Sequence, residues 1–221
     1  MKRKVIKTAD GSTTIFLEDW NEHYHSKHGA IQEATHVFIK HGLHIVQHNT
    51  INILEIGFGT GLNAFITFLE SKRLNKSINY VGVEAYPVAA SEVQKLNYVD
   101  ALNAKLYEKE FSNMHEEQWE IPIEISENFV LEKRKQRFEE INDVSVFDLI
   151  FFDAFGARVQ PELWSEAMFD RMFNALKSGG ILVTYAAKGS VRRAMLEVGF
   201  QVEKLPGPPG KREMLRAIKP K

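Results

Sequence analysis

Residues 53–63, Ile-Leu-Glu-Ile-Gly-Phe-Gly-Thr-Gly-Leu-Asn, constrain this chain more than any other stretch. The apolar run Ile51–Ile56 reads as a buried strand. It passes directly into Gly57, Gly59 and Gly61, and then into Leu62–Lys72, where Leu62, Phe65, Ile66 and Leu69 recur at helical spacing. A strand, a glycine turn and a helix N-terminus make a nucleotide-binding crevice, because the glycines let the backbone turn sharply and let a ligand come close. Glu55 lies inside the strand, where a carboxylate is costly unless something pairs with it.

The turn lacks the Gly-Lys-Ser/Thr ending of a phosphate-cradling loop, which argues against ATP or GTP. Its spacing is Gly-x-Gly-x-Gly, not the Gly-x-Gly-x-x-Gly of dinucleotide enzymes. A second strand, Ile78–Val83, ends in Glu84, placed where a ribose-binding carboxylate is expected. Adenosyl-methionine and NAD both carry a free ribose diol, so Glu84 does not separate them. The missing third dinucleotide glycine favours S-adenosyl-L-methionine.

At 221 residues the chain is long enough to bury a full core as one domain. It has no cysteine, which excludes disulfides, thiolate metal sites, iron–sulfur clusters and cysteine nucleophiles. Met1–Gly11 is basic and polar, so no secretory signal is expected, and no apolar run is long enough to span a membrane. The cytoplasm is the expected compartment. The net charge of −1 is unevenly spread. Residues 1–7 carry four Lys or Arg, residues 186–221 carry nine against three Glu, and the middle is acidic. Basic ends fit nucleic-acid contact and fit ordinary solvated termini equally.

The pattern predicts an α/β fold with a mostly parallel, seven-stranded sheet flanked by helices. Residues 1–45 form an N-terminal extension packed on a core domain of residues 46–221. Thr13–Leu17 reads as a strand and Ala30–His41 as a helix. After the second strand, Ala89–Ala101 reads as a helix, and 102–128 as a helix and an irregular crossover. Strands follow at Phe129–Lys133 and Val146–Phe152. A helix over 161–177 is stopped by Ser178-Gly179-Gly180. Next come a strand over Ile181–Ala186 and a helix over Gly189–Val198. Two closing strands, Phe200–Leu205 and Glu213–Ile218, flank the turn Pro206–Gly210. A sheet ending in a hairpin fits a class I methyltransferase better than a dehydrogenase.

Ligands of open α/β sheets bind at the carboxyl ends of the strands, which is where Glu84, Asp153 and the glycine turn fall. His23, His25 and His28 have a spacing that fits no common metal site, and no metal is expected. Lys133-Arg134-Lys135 reads as a solvated face. Tyr24, Phe155 and Trp164 lie near expected loops, where burial and stacking on a base are both open.

Several stretches together match one family. They are Tyr24-His25-Ser26-x-x-Gly29 with Glu33 and Val37-Phe38; Gly57–Asn63; Glu84-x-x-Pro87; Asp153-x-Phe155 with Pro161-x-x-Trp164; Gly179-Gly180; Val191-Arg192-Arg193; and Lys211-Arg212-Glu213-Met214-Leu215. On these the chain resembles, over nearly its whole length, the methyltransferase domain of the bifunctional bacterial tRNA wobble-uridine modification enzymes. Those enzymes make 5-methylaminomethyl-2-thiouridine. The resemblance implies methyl transfer from S-adenosyl-L-methionine to the primary amine of 5-aminomethyl-2-thiouridine in tRNA. A second, flavin-dependent domain of the bifunctional enzymes supplies that amine. The chain ends at Lys221 without such a domain, so a stand-alone form dependent on separate enzymes is expected. Two departures stand out. Asp153-Ala154-Phe155-Gly156-Ala157 replaces the family's Asp-Gly-Phe-Ala-Pro, and Lys135-Gln136-Arg137 replaces a Gly-Asp pair whose acid meets adenine.

The expected assignments follow. Glu84 binds the ribose hydroxyls, Gly57, Gly59, Thr60, Gly61 and Asn63 pass along the cofactor, Glu55 orders the turn, and either Gln136 takes over the adenine contact or adenine is held otherwise. Asp153 touches the cofactor, orients the amine and takes its proton. Tyr24, Glu33 and Phe155 face the substrate, and Arg192, Arg193, Lys211 and Arg212 meet tRNA phosphates. Two rivals share these residues: a methyl- or aminopropyl-transferase acting on a small amine, and a non-catalytic nucleotide- or tRNA-binding protein.

Overall fold

The computed structural model describes residues 2–221. The N-terminal segment forms a small antiparallel sheet of β1 (Arg3–Lys7), β2 (Thr13–Leu17) and β3 (Glu22–His23). Helix α1 (Ala30–Ala34) continues as a wide, π-type helical stretch over Thr35–Lys40, burying Val37, Phe38 and Ile39. Next come β4 (Thr50–Ile56), α2 (Leu62–Leu74) and β5 (Ser77–Val83). The short helices α3 (Ala90–Val93) and α4 (Tyr98–Ala101) precede α5 (Glu108–Glu116) and the hairpin of β6 (Ile123–Ser126) and β7 (Phe129–Arg134). The last third contains β8 (Phe147–Phe152), α6 (Glu166–Ala175), β9 (Leu176–Thr184), α7 (Gly189–Val198), β10 (Gln201–Pro206) and β11 (Glu213–Ile218).

The main sheet has eight strands in the order β10-β11-β9-β8-β4-β5-β7-β6, one more than the seven expected. Strands β7, β5, β4, β8 and β9 run parallel, while β6, β10 and β11 complete the two edges antiparallel. The extra strand is β6, only four residues long, in the stretch read as an irregular crossover. Every residue of β8 is buried, so its apolar run shows no alternation, as a central parallel strand requires. One face of the sheet is covered by α1, α2 and α5, with Phe38, Phe65 and Phe68 among its buried side chains. The other is covered by α6 and α7 through Met168, Phe169, Met172 and Met195.

Two other expectations are corrected. Ala89–Ala101 is not one helix. Asn97 N donates to Thr13 Oγ1 at 3.0 Å instead of continuing a helical ladder, and the Asn97 side chain binds Thr13 N at 2.8 Å and Gly11 O at 2.9 Å. The N-terminal sheet thus captures the backbone where the helix breaks. The helix read over 161–177 closes at Ala175, because Leu176 already begins β9. Ser178-Gly179-Gly180 lies inside that strand, where Gly179 N donates to Lys219 O and Lys219 N donates to Gly180 O, each at 2.9 Å. The glycines therefore mark an irregular strand, not a helix stop.

Candidate active site

From β4 the sheet grows toward β5 and β7 on one side and toward β8 and β9 on the other. The switch point therefore lies between the carboxyl ends of β4 and β8, where this class of sheet binds ligands. The glycine turn leaves β4 there and Asp153 leaves β8. Asp153 N donates to Ile56 O at 3.0 Å, which joins the two exits, and Gly57 N ties the turn to β5 through Val83 O at 3.0 Å. A Cβ on Gly57 would stand 2.9 Å from the Asp153 carbonyl oxygen, so this position needs glycine. Gly61, in the left-handed region at φ 71°, starts α2.

A cavity of about 1340 Å³ opens at this point. That exceeds the several hundred Å³ of an ordinary single-ligand site and leaves room for a cofactor and a second substrate. Glu55, Gly57, Gly59, Thr60, Asn63, Glu84 and Asp153 line its floor, and Tyr24, Glu33, Phe155 and Lys211 line its walls. The structure brings these eleven expected site residues together. Gln136 does not line the cavity; its neighbours Arg137, Phe138 and Glu139 do. Gly61 supports the cavity from behind, since a Cβ there would meet His115 Nε2 at 2.9 Å. Arg192, on the first turn of α7, and Arg193, exposed beside it, lie outside the lining, as does exposed Arg212.

Three carboxylates define the floor. Asn63 Nδ2 donates to both Glu55 Oε1 and Asp153 Oδ2, each at 2.9 Å, so one amide bridges the two acids. Burial pushes the Glu55 carboxyl well above the usual carboxylate range, and the Asp153 charge adds to that against the Asn63 bond. Burial also raises Asp153, as does nearby Glu33; Asn63 and Lys211 oppose this, and the pKa stands at about 7. Glu84 accepts from Gly59 N at 3.1 Å and Tyr86 N at 2.9 Å. Burial raises it, and those N–H donors pull it back.

Asp153-x-Phe155 and Pro161-x-x-Trp164 act as one unit. Trp164 Nε1 donates to Phe155 O, and Tyr185 Oη donates to Ala154 O, each at 2.8 Å. These two bonds shape the loop that follows β8 without the family's proline. Phe155 packs edge-on against Tyr24 and Trp20, at centroid distances of 5.1 and 5.6 Å. Arg158 donates to the carbonyls of Trp20 at 3.0 Å and Asn21 at 3.1 Å, which fixes the β2–β3 turn over the loop. Thr60 accepts from the buried Tyr98 hydroxyl at 3.0 Å.

Sequence reasoning missed Trp20, Arg158 and Tyr185. Tyr185 directly follows β9, so its position at a strand end is the signal that marks it. Lys211, expected to meet phosphate, has its ammonium turned inward onto Glu33. The three histidines diverge. His23 packs on Phe16, His25 Nδ1 lies 3.2 Å from Thr14 Oγ1, and His28 covers Gly210. Among the described residues no group of three or more His, Asp or Glu is placed to hold a metal ion. No helix of the described residues is long and apolar enough to cross a membrane.

Eight Asp or Glu line the cavity against four Lys or Arg. Such an interior favours cationic ligands and disfavours phosphate. The residues fit a nucleoside sulfonium cofactor on two counts. Glu84 sits at the end of β5 as a hydroxyl acceptor, and Asn63 Oδ1 is a buried acceptor without a partner, suited to an ammonium group.

A family model described as S-adenosyl-L-methionine-dependent methyltransferase matches residues 97–220. The "tRNA 5-methylaminomethyl-2-thiouridine biosynthesis bifunctional protein MnmC" of Idiomarina loihiensis is 28% identical over 214 residues, covering 87% of this chain and 34% of that protein. The protein of the same name from Campylobacter fetus is 30% identical over 186 residues, covering 76% of this chain and 28% of that protein. The chain thus spans about a third of the length of the curated relatives it matches. Among solved structures, MNMC2 from Aquifex aeolicus superposes with a TM-score of 0.75 at 23% identity, covering 98% of this chain and 70% of that one. Spermidine synthase from Thermotoga maritima reaches 0.59 at 13% identity, covering 98% and 68%. These two likenesses show the fold.

Proposed function

The chain belongs to the family of S-adenosyl-L-methionine-dependent methyltransferases, and from that premise we propose that it methylates the primary amine of 5-aminomethyl-(2-thio)uridine at the wobble position of tRNA, giving 5-methylaminomethyl-(2-thio)uridine. The names of the relatives in Idiomarina and Campylobacter support the substrate. The observation that carries the chemistry is Asp153, set in the cavity at the end of β8 with a pKa of about 7.

When bound, the cofactor supplies a methyl group on a sulfonium, already a good leaving group. The chain's own residues then have three tasks. Glu84 accepts from the ribose hydroxyls, while the turn from Gly57 to Gly61, with Thr60, passes along the methionyl part. Asn63 Oδ1 accepts from its ammonium, and Glu55 holds Asn63 in place by accepting from its amide. Arg137 and Phe138 border the adenine in place of Gln136.

An alkylammonium has no free lone pair and titrates near lysine, at about 10. Asp153 accepts a proton from it at Oδ1 or Oδ2 and keeps the neutral amine in line. Tyr24 and Phe155 flank the base. Arg192, Arg193 and Arg212 lie outside the acidic interior, where tRNA phosphates remain as the base enters. The reaction needs a uridine that already bears the aminomethyl group, so separate enzymatic chemistry must supply it. We place the protein with its tRNA in the cytoplasm.

Incubation with tritiated S-adenosyl-L-methionine and tRNA from cells lacking this enzyme, followed by nucleoside analysis, tests the function. Label is expected in 5-methylaminomethyl-(2-thio)uridine. Absence of label with cofactor binding intact would overturn it. The acidic lining by itself favours a second function, transfer to a free small amine, and label in an amine metabolite but not in tRNA would establish that instead.

A further inference from the structure

Lys211 brings a cationic group into the cavity that the methyl-transfer roles above do not use. Lys211 lies in the turn between β10 and β11, yet its Nζ reaches into the cavity and donates to Glu33 Oε2. It also stands 3.8 Å from the ring centroid of Tyr185. Both partners are fixed. Glu33 is 7% exposed and its other oxygen accepts from Ser26 N at 3.0 Å. The Tyr185 ring is held by its hydroxyl, which donates to Ala154 O next to Asp153. A carboxylate and an aromatic face, both held in place, make a seat for an ammonium ion. The present occupant is a primary alkylammonium, the same group that an aminomethyl-uridine carries at neutral pH.

We infer that Glu33 and the face of Tyr185 form an alkylammonium-binding subsite, which Lys211 fills in the ligand-free protein and which the substrate's ammonium takes by displacing it. The identity of that substrate rests on the function proposed above; the seat itself rests on the Lys211 contacts. Displacement frees Lys211 on the same turn as exposed Arg212, and it seats the incoming ammonium on Tyr185, whose hydroxyl binds the carbonyl of Ala154 next to Asp153. An internal competitor lowers apparent affinity by the fraction of time it is seated, so removing it strengthens binding.

The test is calorimetric titration of ethylammonium chloride into wild type, Lys211→Ala and Lys211→Ala/Glu33→Gln, with ethanol as the neutral control. Lys211→Gln, which keeps a stem against Tyr185, is measured alongside in case Lys211→Ala does not fold. Both single variants are expected to bind ethylammonium at least about tenfold more tightly than wild type, and Glu33→Gln should abolish the gain. The same series with 5-aminomethyluridine should show the same gain, and 5-hydroxymethyluridine none. Ethylammonium binding that is unchanged in the single variants, or indifferent to Glu33→Gln, overturns the subsite. So does a result in which Lys211→Gln weakens only an anticodon stem-loop, which would make Lys211 a phosphate contact. A gain for ethylammonium without one for 5-aminomethyluridine upholds the seat and assigns it to a free small amine. In that case the wobble-uridine function is what fails.

Discussion

Asp153 shows how one residue's environment sets its chemistry. Burial and the Glu33 carboxylate hold its pKa at about 7, against the opposing influence of Asn63 and Lys211. The value sits where a proton acceptor for an alkylammonium works near neutral pH. Turnover per free enzyme is therefore expected to rise with pH through about 7 as Asp153 ionises. Asp153→Asn should remove that limb and lower the rate by about a hundredfold or more, with cofactor binding retained. Stability follows the opposite sign. The folded pKa lies above the ordinary 3.8, so between 3.8 and about 7 the folded protein holds a proton that the unfolded chain has released. The contribution of Asp153 to stability thus declines as pH rises through that window. Melting temperatures should show Asp153→Asn gaining on wild type from pH ~5 to pH ~8; an equal difference at both would refute the assignment. Asp153, Glu84 and Glu55 were legible in the sequence because each interrupts or ends an apolar strand. The Glu33–Lys211 pair was not, because it joins residues 178 apart and strand or helix periodicity carries no information about such partners.

Among the elements, the strand–turn–helix around residues 53–63 was legible because an apolar run, a glycine turn and helical spacing follow one another directly there. The segments misread were those in which tertiary contacts override a local pattern. The periodic run across Ala89–Ala101 is cut at Asn97 by the N-terminal sheet, and Leu176 leaves a helical register to fill the core as part of β9. Strand β6 alternates Ile123 and Ile125 correctly, but four residues next to Pro122 are too few to announce a strand. The glycine turn itself makes a sharp prediction. Gly59 has φ 49°, and a Cβ there would lie 3.0 Å from Tyr24 Cδ1. Gly59→Ala must strain the turn or push the Tyr24 ring, at a cost of about 1–3 kcal/mol. If cofactor binding requires the turn as it stands, affinity measured by calorimetry should fall about tenfold or more. Gly189→Ala, at the start of α7 and away from the cavity, should leave that affinity unchanged. Equal affinities in the two variants would show that the turn tolerates a side chain.

Across the whole molecule, the central feature is the division of labour between sheet and N-terminal wall. The carboxyl edge of the eight-stranded sheet supplies Glu55, Glu84 and Asp153, while Arg3, Trp20 and the stretch from Glu22 to His28 close the cavity from the other side. The wall has its own hydrogen-bond ladder, β1–β2–β3, and polar side chains tie it to the core. Asn97 binds Thr13 and Gly11, Arg158 binds the β2–β3 turn, and Arg3 binds Glu92 and the carbonyls of Tyr86 and Pro87. Asn97 is partly buried and pairs with both backbone and side-chain groups, so its loss leaves polar groups unpaired at about 1–2 kcal/mol. Asn97→Ala is therefore expected to speed amide exchange in residues 3–23 selectively, while β4 and β8 stay protected. Turnover on substrate should fall more than cofactor affinity, because Tyr24 belongs to the wall and the cofactor-facing acids belong to the sheet. Hydrogen exchange followed by mass spectrometry decides the matter. A uniform acceleration across wall and sheet would mean that the two unfold together, and that the wall is not an independently opening part of the site.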